Sequence, residues 1–483
     1  MTTSTSSPPI TTPTNDRARW LALTTLCASM LMIVLDSTIV TVALPAIQTD
    51  LNIATTSLGW VINAYLIAFG GLLLLAGRLG DLLGRRRVFI TGLTLFTLAS
   101  LLCGIATTPT QLITARFLQG IGGALTSAVS LGMLVTLFPE PHHRAKAIGA
   151  FSFVSAAGAS IGLISGGILT QTLSWPWIFL VNLPIGIAAI LLALRLLPAD
   201  PGIGLRQGAD ILGALLVTSG LMLGVYTIVE TTNHGWTSPR TLTGGAIALA
   251  LLTGFTLRQA TAPTPLLPLR ILTYRPVWSA NLIQILMASA GVGFQVLIAL
   301  YSQQVLGYDA LKAGLALTPT TLLIGAFSLL LSARLITRYG ARTVLLISLT
   351  LPLAAFCLLT RIPTHASYLT DLLPTLVLVS GFGLAFPALT NLAMSNAQSD
   401  DAGLTSGLFN TTQTVGSALG IAILSTIATT RTTTLLTNGE PIPDALASGH
   451  RLAYTTATAF IAAAILLTFA LLRATRTPPT THA

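Results

Sequence analysis

Apolar runs of about twenty residues recur along the whole chain, separated by short charged or Pro-containing breaks. A bilayer core is ~30 Å thick and needs roughly twenty apolar residues per helix, so each run predicts one membrane crossing. Fourteen runs stand out. The first eight are 20–44, 56–77, 88–107, 111–138, 147–171, 176–197, 209–230 and 241–258. The other six are 277–300, 313–333, 343–361, 369–395, 402–428 and 452–473. The pattern predicts an all-α polytopic membrane protein.

Composition points the same way. Hydrophobic residues make up 53% of the chain and charged residues 8%, and the mean hydropathy is +0.81. A soluble protein carries roughly a quarter of its residues as charges. The net charge of +10 would suggest nucleic acid in a soluble chain. Here the basic residues are mostly spread singly through loops, so membrane orientation explains them better and no nucleic-acid partner is expected. With the N-terminus inside, eighteen of the 24 Lys and Arg fall on the inner side and five on the outer. Arg116 alone lies within a span. This asymmetry predicts a multi-pass protein of the cell membrane with both termini cytoplasmic.

Residues 1–16, rich in Thr, Ser and Pro, and residues 476–483 read as cytoplasmic tails, the first of them disordered. The first apolar run starts near Trp20 and is long enough to span, so no cleaved leader is expected. Cys27, Cys103 and Cys357 each sit in an apolar run and read as small buried hydrophobes. The six histidines are scattered, and no metal or cofactor is expected.

An internal repeat organises the spans. Arg78, Leu79, Gly84 and Arg86 recur as Arg334, Leu335, Gly340 and Arg342, at an offset of 256 residues. The offset links the loop after the second helix to the loop after the tenth, eight helices on, where a plain six-plus-six duplication would give six. Two extra helices must separate the halves. The expected domains are 17–200 and 263–475, six helices each, with the inserted pair in 201–262. Repeated halves around a central site are a common transporter plan.

Several segments resemble a known family. Gly77 to Arg87 is similar to the helix 2–3 loop signature of the major facilitator superfamily. Leu35-Asp36-Ser37-Thr38-Ile39-Val40-Thr41-Val42-Ala43-Leu44-Pro45 resembles the first-helix motif of its fourteen-helix drug:proton antiporters. Leu112 to Ala124, holding Arg116, Gln119, Gly120 and Gly122, looks like the fourth-helix motif. Trp175 to Pro184 resembles the start of helix six. The resemblance covers nearly the whole chain and implies the major facilitator fold, with helices 1 and 4 as neighbours lining a central cavity.

An ionisable group deep in a span costs at least ~2.5 kcal/mol, so Asp36 reads as functional by default. Burial raises a carboxyl pKa and a nearby cation lowers it, and a group between those pulls can exchange protons. The alternative is an Asp that only bridges helices. Arg116 lies in the outer half of helix 4, at a depth comparable to Asp36. It either pairs with Asp36, directly or through water, or snorkels to the outer interface.

In the 2–3 loop, Gly77, Gly80 and Gly84 allow close helix approach and a tight turn. Asp81 sits among Arg78, Arg85, Arg86 and Arg87, able to pair with Arg85 or a helix N-terminus. The resemblance implies a cytoplasmic latch between halves; the other reading is positive-inside anchoring. Helix 5 carries Gly158, Gly162 and Gly166 at spacings of four, with Gly167 beside them, a small-residue packing face. This face is similar to the antiporter motif, except that Leu163 stands where the family usually has Pro. A purely structural packing face fits equally.

Asn63, Tyr65, Gln119, Gln284, Gln295, Asn410 and Gln413 are further polar residues within spans and candidates for the cavity wall or for bonds between helices. No GxxxxGK[ST] phosphate loop is present. The expectation is a transporter and not an enzyme, driven by protons and exporting hydrophobic drugs or antibiotics across the bilayer, and working as a monomer. An exporter or importer dedicated to one metabolite or lipid is the alternative on the same fold; a channel or membrane enzyme lacks its pattern here.

Overall fold

The computed structural model describes residues 16–53, 58–199, 202, 204, 210–263, 265–267, 270, 274–308, 310–395 and 402–472. Among these no strand occurs, and fourteen helical rods follow one another. They are α1 Asp16–Leu51, α2 Trp60–Leu83, α3 Arg85–Gly104, α4 Pro109–Leu137 and α5 Pro141–Thr172. Next come α6 Trp177–Leu196, α7 Ile211–His234, α8 Pro239–Thr261 and α9 Arg275–Gln304. Rod α10 runs from Ala310 through a π-helical turn, Phe327–Leu331, to Tyr339. The last are α11 Ala341–Leu359, α12 Tyr368–Ala393, α13 Ala402–Thr437 and α14 Ile442–Leu471.

Thirteen helices among the described residues are long and apolar enough to cross a membrane. Rod α5, 32 residues long and packed on α1 and α10, completes the fourteen. Each expected crossing has its rod, and most rods outrun the predicted spans. Rods α1 and α13 have 36 residues each, or ~54 Å at 1.5 Å per residue, against the ~30 Å core. Their ends therefore project beyond the apolar runs that announced them. The predicted tails lie outside the described residues, apart from Asp16, which opens α1.

The 256-residue repeat holds down to the backbone. Gly84 (φ +96°) and Gly340 (φ +80°) each join two helices with no intervening residue, in conformations that exclude most side chains. Their amides bond the carbonyls of Gly80 and Ile336, positions that the same offset relates.

The inserted hairpin α7–α8 does not stand apart. Rod α7 packs on α2 and α13. Near its C-terminal end Tyr226 stacks on Trp60 of α2 at 5.8 Å, and Trp236 just beyond donates to Thr426 of α13 at 3.1 Å. At its N-terminal end Asp210 caps α7 through the Gly213 amide and accepts from Arg258 and Gln259 of α8.

One expectation fails. Cys103 is buried and Cys27 partly so, but Cys357 is exposed. An apolar run marks residues removed from water, and on a spanning helix the side facing lipid is apolar as well.

Candidate functional site

Arg116 is buried and does not snorkel. Its α4 position is about 10 Å inward from Pro109, yet its side chain turns into the bundle and is 1% exposed. Nη1 lies 2.6 Å from Asp36 Oδ2, and the Asp36 side chain is fully buried. Nε donates to the Val61 carbonyl of α2 at 3.0 Å, and Nη1 also meets Gln119 Oε1 at 2.7 Å. Aromatic rings flank the guanidinium: Tyr65 at 4.5 Å and Phe179 at 5.8 Å from its central carbon. A desolvated cation over such faces gains ~2 kcal/mol.

The other Asp36 oxygen accepts from Gln119 Nε2 at 2.7 Å and Asn182 Nδ2 at 3.0 Å. Gln119 also donates to Ser100 of α3 at 2.8 Å. Rods α1, α3, α4 and α6 thus meet in one network, with α2 supplying Val61 and Tyr65. A buried ion pair holds only if its remaining valences are met, and here three donors meet one carboxylate. Two polar atoms beside it have no partner: Tyr65 Oη and Asn182 Oδ1.

Glycines make the approach of these helices possible. A Cβ at Gly120 would stand 2.5 Å from the Tyr65 carbonyl, and one at Gly122 2.5 Å from the Phe96 amide. On α5, a Cβ at Gly158 would meet Val34 at 3.1 Å and one at Gly166 the Ile39 carbonyl at 2.8 Å; at Gly162 it would collide with Thr38 Oγ1. The three-glycine face therefore packs on the stretch of α1 that carries Asp36. Gly167 lies beside it and is partly exposed.

A second polar node lies at the inner end, where α1 begins and α14 ends. Asp81 Oδ1 pairs with Arg85 Nη2 at 3.0 Å and accepts the Gly403 amide at 3.0 Å; Oδ2 accepts the Leu404 amide at 2.8 Å. Both partners foreseen for Asp81, Arg85 and the first turn of a helix, are engaged together. A Cβ at Gly77 would stand 2.5 Å from the Gly403 carbonyl, so α2 and α13 cross nearly backbone to backbone. Gly80 and Gly84 are buried in the same turn, Arg86 donates to the Leu194 carbonyl of α6, and Arg78 is partly exposed. The repeat sets Thr337 where Asp81 would recur, so the carboxylate has no counterpart. Nine residues before Thr337, in the π turn of α10, Ser328 donates to the Gly149 carbonyl of α5 at 2.8 Å.

The remaining candidates scatter. Asn410 of α13 donates to the Ser127 carbonyl of α4 at 3.3 Å. Asn63 and Gln413 are half-buried. Gln284 is fully buried with neither end of its amide bonded. Gln295, three turns further along α9, is exposed. At 3.6 residues per turn it faces away from the outward-facing Trp278 and Leu282. Sequence reasoning missed Asn182 as a partner of Asp36 and Ser100 as a partner of Gln119. For Asn182 a signal existed: an amide among apolar residues in the motif at the start of helix six. Ser100 carries none.

The family model described as Major Facilitator Superfamily matches residues 26–421. The puromycin resistance protein of Streptomyces alboniger is 38% identical over 456 residues, 94% of this chain and 90% of that relative. The cephamycin export protein of Amycolatopsis lactamdurans is 36% identical over 464 residues, 95% and 93% of the two chains. The tetracenomycin C resistance and export protein of Streptomyces glaucescens is 31% identical, covering 89% and 79%. Among solved structures, the human organic anion transporter MFSD10 superposes with a TM-score of 0.66 at 16% identity, over 96% of this chain and all of that one. The proton:xylose symporter XylE gives 0.62 at 15% identity, over 93% and 96%. At these identities the structural likeness speaks for the fold alone.

Proposed function

The chain belongs to the major facilitator superfamily of membrane transporters, and from that premise we propose that it exports antibiotics in exchange for protons. The observation that carries the reading is the buried pair of Asp36 and Arg116, held by groups from several helices. Protonating Asp36 removes the charge that Arg116 balances, and the network must then rearrange. A proton moving inward supplies ~2.3 kcal/mol per 100 mV of membrane potential, which drives substrate outward when the two occupy the site in turn.

Domains 17–200, 201–262 and 263–475, both termini in the cytoplasm and residence in the cell membrane belong to the same proposal. The paired glycine turns at Gly84 and Gly340 support the halves, and the basic inner loops support the orientation. The hydrogen bonds that join the halves, Asp81 to Gly403 and Leu404, Ser328 to Gly149, and Asn410 to Ser127, lie in the inner half of the bundle. We read this arrangement as the state closed to the cytoplasm, with Asp81 as its latch. Gln295 then lines the cleft between halves from α9.

The three relatives described above are each named for one antibiotic, which favours a dedicated exporter over a broad multidrug pump. Everted vesicles with an imposed pH gradient test both points, using puromycin, a cephamycin and tetracenomycin C as probes. Gradient-driven uptake of one compound, lost in Asp36→Asn, is the expected result. Uptake of none, or uptake indifferent to the gradient, contradicts the proposal.

A further inference from the structure

Buried ionisable side chains are unevenly divided between the halves. Asp36, Asp81, Arg85 and Arg116 are buried in the first half. In the second half, among the described residues, His450 is the one buried member of the Asp, Glu, Lys, Arg and His types, at 4% exposure. It sits on α14 eight residues after Ile442, ~12 Å from the outer end. The Asp36 mechanism makes no use of it.

The surroundings of His450 are specific. The Tyr301 ring of α9 meets the imidazole edge-on at 5.7 Å, and the Tyr454 ring, one turn further along α14, lies nearly parallel at 6.4 Å. Two buried polar atoms there have no partner, His450 Nδ1 and Tyr454 Oη. Buried polar groups are almost always bonded, so two unbonded ones on adjacent turns set this cluster apart from the bonded polar groups of the core.

The imidazole is also set where four elements converge. Gly449 lies against Thr432 and the Ala428 carbonyl of α13, with no room for a Cβ. Arg451 donates to the Ile362 carbonyl just past α11 at 2.7 Å. Tyr301 donates to the neighbouring Pro363 carbonyl, and Arg431 of α13 reaches Ser448 at 3.4 Å. The charges around the cluster are Arg451 and Asp444 on α14, Arg431 on α13, Arg361 beside Ile362, and Asp371 of α12 near Tyr301. Among the described contacts no carboxylate bonds His450.

We propose that His450 is a second proton-binding site, reached from the outer face and separate from Asp36. A proton on the enclosed ring creates a buried cation with no carboxylate bonded to it among the described contacts, a costly arrangement. The ring must reach water, and the packing of α9, α13 and α14 around residues 449–451 loosens as it does so. Protons on the outer side, the side from which they would enter for exchange, thereby favour parting of the outer ends of the second half. The proposal does not depend on Asp36 carrying the coupled proton.

Hydrogen–deuterium exchange of the full-length protein in detergent micelles tests it, read on peptides spanning 430–455 and corrected for the intrinsic pH dependence of exchange. Wild type is expected to lose protection several-fold between pH 7.5 and 5.5. His450→Gln should give a flat profile, and Asp36→Asn should keep the wild-type one, which separates this site from the coupling site. A flat wild-type profile, or an identical transition in His450→Gln, overturns the proposal. Should His450→Gln fail to fold, Tyr454→Phe serves in its place. It removes the unbonded hydroxyl one turn away and should move the transition to lower pH, and an unmoved transition overturns the proposal.

Discussion

Arg116 Nη1 stands 2.6 Å from Asp36 Oδ2, with both side chains almost wholly shut away. Removing one partner of such a pair strands the other, which costs about 3–5 kcal/mol, whereas removing both costs far less. Arg116→Gln and Asp36→Asn should therefore each lower the thermal midpoint in detergent, Arg116→Gln the more. The double variant Asp36→Asn/Arg116→Gln should recover much of the loss. Additive losses in the double variant would show that the two groups are not coupled.

Asp81 holds α13 through two backbone amides as well as Arg85. Hydrogen bonds to a charged group contribute ~1.5–3 kcal/mol each, so Asp81→Asn should shift the population away from the cytoplasm-closed state. Spin labels at Arg87 and Ser395, both exposed, report the inner opening. The background should carry Cys357→Ser, since that native thiol is exposed. The variant is expected to show a longer inner distance than wild type; an unchanged distribution argues that the loop is only an anchor.

The glycine face of α5 makes a steric prediction. Gly162→Ala places a methyl against Thr38, two residues from Asp36, and Gly166→Ala one 2.8 Å from the Ile39 carbonyl. Overpacking of this kind costs ~1–3 kcal/mol. Both variants should fold with lowered midpoints and slowed transport, while Gly167→Ala, at a partly exposed position, stays near wild type. Equal effects at all three positions would contradict the facing described here.

Asp210 gives a pH-dependent test outside the spans. Burial pushes its carboxyl up, but bonds from Gly213, Gln259 and Arg258 with the Arg258 charge outweigh that and hold it below the usual carboxylate range. A lowered folded pKa stabilises above the unfolded value of ~3.9 and loses that contribution as pH falls through the folded one. Asp210→Asn should thus be less stable than wild type at pH 7, and the gap should close below about pH 4. A gap that persists there points to lost shape and not lost charge.

How far the site was legible follows from the residue types involved. Asp36 and Arg116 were visible because a charge inside an apolar run is costly and stands out. Their pairing could be suggested from depth but not decided, since an arginine at that depth can also reach the headgroups. Asn182 and Ser100 bond Asp36 and Gln119 from other helices, and neutral polar residues are too common in spans to be singled out. Gln284 and Gln295 show the limit most clearly. They look alike in sequence and lie on similar sides of α9, yet one is sealed and the other open. The turn at Gly84 was readable because its partner Gly340 recurs in register. The grip of Asp81 on Gly403 was not readable as a contact, because it spans 322 residues and depends on how the halves dock.

The central claim is that Asp36 gives up a proton when substrate binds. Proton release into weakly buffered detergent solution, on addition of whichever antibiotic the vesicle assay selects, measures this directly. Wild type should release protons in proportion to bound compound, and Asp36→Asn should bind the same compound without release. Equal release from the variant, or none from wild type at saturating antibiotic, would contradict the account.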